Sequence, residues 1–221
     1  NPNSGWIVSA NQDPFRASSV KDNLKRSDFS KTLGIETKMT NRAHRVIEIF
    51  DNDKKFTEQD LLDAKFDNEY SKESRSIKYL QNVIAQEYED QEFQEAQAVL
   101  NAWDLKTDND NRSAALGVCI LSEEWRAFMN RIDAPSSKEM FKKCIDELND
   151  AFGRVDPLWS EVNMLIRGDL ALSIQGGPDT LRAVYGRPQD DGILKAVAGD
   201  GLVVSLSWDS DGNQESQSIH Q

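Results

Sequence analysis

A chain of 221 residues, 38% hydrophobic and 29% charged, is long enough for one sizeable domain or two small ones and has the balance of a folded globular protein. Its 26 Lys and Arg against 38 Asp and Glu leave a formal charge of −12, which disfavours phosphate-backbone binding and reads more simply as a solubility feature. No apolar run approaches the length of a membrane span, so neither nucleic acid nor membrane is expected as a partner.

The first stretch, "NPNSGWIVSANQDPF", opens on turn residues. Trp6, Ile7, Val8 and Ala10 then read as a short buried strand that delivers Asn11 to a break before Pro14. No initiator Met, signal peptide or transit sequence precedes it, so the stretch reads as the interior of something larger. Residues 16–40 are polar and irregular, a long surface excursion, and residues 1–40 form a first unit of strand plus loop.

A helical block is expected over residues 41–167. "NRAHRVIEIF" spaces Ala43, Val46, Ile47 and Phe50 as one helix face. Thr57 and Asp60 make a variant capping box ahead of "LLDAKF". Ile77, Leu80, Val83 and Ile84 mark a third helix, and Phe93, Ala96, Leu100 and Trp103 a fourth. Residues 113–131 begin almost wholly apolar, which predicts a deeply buried helix, and residues 137–152 place Met140, Phe141, Cys144, Ile145 and Leu148 on one face. Asp156-Pro157 suits the start of a short helix running to about Leu165. Residues 168–221 are loop-rich, and "GLVVSLSWDSDGNQ" alternates as a strand running into an Asp-Gly turn. The fold class expected is therefore α+β, dominated by helix, with short strands towards each end.

Most patterns that hint at chemistry do not hold up. "DNDKKFTEQDLL" spaces Asp51, Asp53 and Lys55 like a calcium loop, yet Phe56 stands where Gly is needed and Leu62 where Glu is needed. "DSDGNQE" from Asp209 is a hairpin turn, and the acidic "KTDNDNR" at 106–112 is a solvated loop. Gly176, Gly177 and Pro178 lack the Lys-Ser/Thr and helix of a phosphate loop. With His44 and His220 the only histidines, a zinc site and a Ser–His arrangement both lack a setting. Cys119 and Cys144, in apolar helical contexts, read by default as buried free thiols, with a disulfide left open. Two features remain. Asn11 can be a turn residue or an oxyanion donor, and Arg42 and Arg45, three apart on one helix face, can be ion-pair partners or active-site cations.

"NPNSGWIVSANQDPF" resembles the segment that penicillin acylase-family enzymes carry in their large catalytic subunit, where an Asn-Pro-x-Ser-Gly-aromatic strand leads into an Asn followed shortly by Pro. "NRAHRVIEIF", "KFDNEYSKES", "LNAWDLKTDNDNRSAAL", "DPLWSEVNMLIRG", "GGPDTLRAVYG" and "DGLVVSLSWDSDG" are similar, in the same order, to the branch containing aculeacin- and homoserine-lactone-type acylases, and the similarity spans residues 1 to about 220. The resemblance implies a four-layer αββα sandwich and an N-terminal-nucleophile amidohydrolase, in which a Ser exposed by self-cleavage attacks an amide carbonyl with its own α-amino group as base.

By motif, Asn11 is the oxyanion donor and Arg45, in "RVIEI", the supporting cation, with Arg42 the competing assignment. Some relatives hold calcium through an Asp shortly after the strand. Asp22 lies at a comparable distance, so structural calcium is the one ion implied and no cofactor is required for the chemistry. The expected partners are a small-molecule amide together with the nucleophile-bearing segment and the small subunit of the same precursor, because Asn1 offers no hydroxyl or thiol. The chain then reads as an internal fragment of the catalytic subunit, exported to the periplasm or beyond. β-Lactam, lipopeptide and homoserine-lactone amides all stay open as substrates. A contrasting expectation is a non-catalytic, partner-binding helical module that keeps the acylase scaffold.

Overall fold

The computed structural model describes residues 2–52 and 54–220, with the backbone alone at His220. Asn1, rejected above as a nucleophile, Asp53 of the rejected calcium loop, and the His220 side chain lie outside the described residues. Among the described residues, seven α-helices run through the first three-quarters of the chain: α1 (Asn41–Phe50), α2 (Glu58–Lys65), α3 (Arg75–Ile84), α4 (Gln91–Asn101), α5 (Ala114–Asn130), α6 (Ser137–Phe152) and the single turn α7 (Trp159–Val162). Strands follow: β1 (Asn163–Arg167), β2 (Leu170–Ser173), β3 (Val184–Pro188), β4 (Leu194–Gly199), β5 (Leu202–Trp208) and β6 (Gln214–His220). The architecture is α+β and helix-dominated, as expected.

Side-chain caps set the helix starts. Thr40 Oγ1 accepts from Ala43 N at 3.1 Å to begin α1. At α2 both halves of the expected capping box form: Asp60 N donates to Thr57 Oγ1 (3.2 Å) and Thr57 N to Asp60 Oδ2 (2.8 Å). Helices α3, α5 and α6 then pack around Leu80, Val83, Ile120, Phe141 and Ile145, with Trp103, Trp159 and Tyr70 closing the cluster. Helix α5 enters this core along a fully buried stretch, residues 114–118. Gly117 lets the Trp103 ring lie against the helix backbone, where an added Cβ would sit 2.3 Å from the ring. Between α3 and α5, buried Glu124 accepts from Arg75 and, at 2.9 Å, from Ser76 Oγ.

The sheet order is β2-β1-β4-β3, with β1 parallel to β4 and the other pairs antiparallel. β5 and β6 form a separate hairpin, closed by the expected turn, in which Asp209 Oδ1 accepts from Asp211 N and Asn213 N. Val203 is buried on one face of this hairpin, while Leu202, Val204, Leu206 and Trp208 point outwards and are half or more exposed.

Three sequence expectations are corrected. Residues 6–10 join no sheet. Their backbone is satisfied largely by side chains instead: Gln12 Nε2 donates to Val8 O, Gln12 Oε1 accepts from Ala10 N and Ser18 Oγ donates to Trp6 O, while Val8 N donates to the backbone of Ala17, leaving Ile7 exposed. The helix expected up to Leu165 is one turn long, because Asn163 ties its backbone and side chain to Ile174 and starts β1. Cys119 and Cys144 are not free thiols. They form a disulfide joining α5 to α6, with Cα atoms 5.9 Å apart.

Candidate active site

The opening segment is tied onto the start of α1. Thr40 Oγ1 donates to Ala10 O at 2.8 Å, and Asp13 N donates to Lys38 O at 3.1 Å. Asn11 follows Ala10 with φ 63°, a left-handed conformation that Asn tolerates better than most residues. Its side chain is solvent-facing, and its Oδ1 accepts from the Arg42 guanidinium at 2.8 Å. That bond orients the amide. With the oxygen engaged, Nδ2 is the free end, a donor without a partner among the described residues.

Arg42 is held from behind. Its Nε donates to Asp179 Oδ1 at 3.2 Å, and the other carboxylate oxygen accepts from Asn41 N at 2.8 Å, at the first turn of α1. Asn41 Nδ2 also donates to Asp179 O, and Asn41 Oδ1 accepts from Ser71 N. Asp179 is buried and has φ 62°. Burial pushes its carboxyl above the usual range, and the Asn41 amide and Arg42 offset only part of that.

The Gly-Gly-Pro turn ahead of Asp179 leaves no room for a side chain at its first residue. At Gly176 (φ +100°) a Cβ would lie 2.2 Å from Arg182 O. Gly176 O accepts from Trp159 Nε1, and Pro178 O from Tyr70 Oη, whose pKa burial raises well above its ordinary value. Tyr185 on β3 reaches the Asp179 backbone, and burial raises its hydroxyl pKa too.

Arg45 is placed differently. It donates through Nε and Nη2 to Asp67 (3.1 and 2.7 Å), and further to Glu69 and Glu48, so its charge is spent on a three-carboxylate cluster between α1 and the segment after α2. Desolvation by burial is the largest influence on its pKa and acts to lower it, but those carboxylates together raise it above the ordinary arginine value. The pair Arg42 and Asn11 is therefore brought together, and Arg45 is not part of it.

Asp22 sits beneath the opening turn. Its Oδ1 accepts from Asn3 Nδ2 (3.1 Å) and its Oδ2 from Ser4 N (2.6 Å), bonds that lower its pKa, the Ser4 backbone most. Among the described residues no further carboxylate or His gathers with it into a set of three. Among the described residues the one such set, Cys119, Cys144 and Glu147, contains the disulfide sulfurs. His44 is half-buried, which lowers its pKa, and joins no such set.

Penicillin amidase is the family whose model matches the sequence, over residues 1–216. The chain belongs to that family. It is accordingly of acylase, amidohydrolase type. A search of the curated proteins finds no match. Within this penicillin amidase chain, Asp179 and Asn41 are the residues around the Asn11–Arg42 pair that sequence reasoning missed. The available signal was "GGPDT", a tight turn followed by an acid able to adopt a left-handed backbone.

Proposed function

We propose that this chain supplies the oxyanion side of an amide-hydrolysing site, with Asn11 Nδ2 as the donor to the tetrahedral intermediate. The observation that carries the proposal is the Arg42–Asn11 bond, which leaves the N–H end of the amide free to face the reacting carbonyl. Arg42 orients Asn11, and Asp179 orients Arg42; neither touches the reacting atoms. Arg45 is assigned to the scaffold. The nucleophile is assigned to a Ser on another segment of the same precursor, its α-amino group acting as base. The Ser oxygen attacks the amide carbonyl, the amine leaves with a proton from that base, and water then releases the acyl group.

Two further assignments go with this reading. Export to an oxidising compartment is supported by the Cys119–Cys144 disulfide, since such bonds rarely persist in the cytosol. A structural calcium at Asp22 receives no support from its neighbours.

The test is Asn11→Ala in the self-processed enzyme. Loss of one oxyanion donor should lower kcat by on the order of 10²–10³ with KM little changed. Near wild-type turnover would remove Asn11 from the reaction.

A further inference from the structure

Away from Asn11, a cleft of about 390 Å³ opens between the α5–α6 pair and the β3–β4 hairpin, a volume in the range of small-molecule sites. None of Asn11, Arg42 or Asp179 lines it, although Pro178 adjoins Asp179 in sequence. Its floor is apolar, formed by Ala115, Met140, Leu148, Trp159, Val162 and Leu194. Its rim is charged, and the charges do not cancel. Arg126 pairs with Glu123 and Lys143 with Glu147, so both rim cations are taken up. Asp150 and Asp190 also line the cleft and have no ion-pair partner among the described residues.

The segments that carry these two carboxylates, the last turn of α6 and the β3–β4 turn, meet at the cleft. The β3–β4 turn abuts the last turn of α6 so closely that a Cβ on Gly192 would lie 2.4 Å from Ala151 Cβ. Helix α6 carries no basic residue in that last turn, so the negative end of its dipole is not offset there. The cleft thus joins an apolar floor to the meeting of α6 and the β3–β4 turn, where two unpaired carboxylates and a helix C-terminus stand, while its other charged lining residues are paired with one another.

We propose that this cleft is a second ligand site, taking an amphiphilic amine with its alkyl or aryl body on the Met140–Leu148–Trp159 floor and its ammonium between Asp150 and Asp190. The charge pattern selects against a carboxylate of the same shape. The site is independent of the acyl-transfer reading.

The probes are n-octylamine, n-hexylamine and octanoate, titrated calorimetrically into the full chain at pH 7. Octylamine should bind at one site and exceed hexylamine by roughly fourfold per added methylene. It should exceed octanoate by on the order of tenfold. The surface double variant Asp150→Asn/Asp190→Asn should erase the preference for amine while keeping the chain-length effect. Ser122→Trp, which fills the cleft from α5, should abolish binding of all three. Equal affinity for amine and carboxylate, binding untouched by Ser122→Trp, or no binding at all would overturn the proposal. Loss of octylamine binding in Asn11→Ala would overturn it too, because the probe would then occupy the acyl-transfer site.

Discussion

Removing Arg42 separates an orienting role from a chemical one. In Arg42→Ala the Asn11 amide keeps its place on the backbone but loses the charge-assisted bond that chooses which end faces outwards. A hydrogen bond to a charged group contributes about 1.5–3 kcal/mol. With tenfold per 1.4 kcal/mol, the correctly turned amide should lose roughly 10- to 150-fold of its advantage, which caps the fall in kcat. That range reaches only the lower end of the 10²–10³ expected for losing the donor outright. The two variants share one function, so Asn11→Ala/Arg42→Ala should turn over no more slowly than Asn11→Ala alone. The assay is kcat and KM on a chromogenic acyl anilide with the processed enzyme, alongside a check that each variant unfolds at a similar urea concentration. Additive losses in the double variant, or full activity in Arg42→Ala, would refute the relay.

Other expectations follow from the same contacts. Because burial raises the Asp179 carboxyl pKa, it gains its proton at a higher pH than an ordinary carboxylate as the solution is acidified, and the hold on Arg42 weakens there. The acid limb of the kcat profile should therefore sit above the usual carboxylate range and vanish in Asp179→Asn. The sign for stability is the opposite of a simple ion pair. A raised folded-state pKa favours the native state most below the unfolded value, so the stability advantage of wild type over Asp179→Asn should shrink as pH rises through that window. Cys119→Ser/Cys144→Ser opens a 25-residue loop and should cost roughly 3.5 kcal/mol by the loop-entropy estimate, read as a lower urea midpoint; an unchanged midpoint would count against the bridge. Gly117→Ala drives a methyl into the Trp103 ring and should cost about 1–3 kcal/mol in the same measurement, with a shift in Trp fluorescence.

What could be read from the sequence divides along physical lines. The Thr57–Asp60 cap and the Val46, Leu80, Phe141 and Ile145 faces were legible because caps and helical periods depend on residues a few positions apart. The opening segment misled because Trp6, Ile7 and Val8 have strand composition, whereas Gln12 and Ser18 decide the outcome by binding its backbone. Asn11 was legible only through family resemblance. The choice between Arg42 and Arg45 turns on Asp179 and Asp67, which lie 137 and 22 residues away from them. No local pattern encodes which acid meets which arginine. The disulfide escaped for the same reason: two half-helical contexts do not show that α5 and α6 face one another.

The outward row on β5 has a consequence for how the chain behaves in bulk. Leu202, Val204, Leu206 and Trp208 form a proline-free adhesive strip that can pair face to face with another copy. The surplus of 12 negative charges supplies the opposing force, holding copies apart at distances within the screening length. Added salt shortens that length from about 10 Å at 0.1 M to about 3 Å at 1 M, leaving the strip unopposed. Raising the ionic strength should therefore shorten the colloidal lifetime of this chain, read as light scattering that grows with added salt, with low-salt buffer the condition that keeps copies apart.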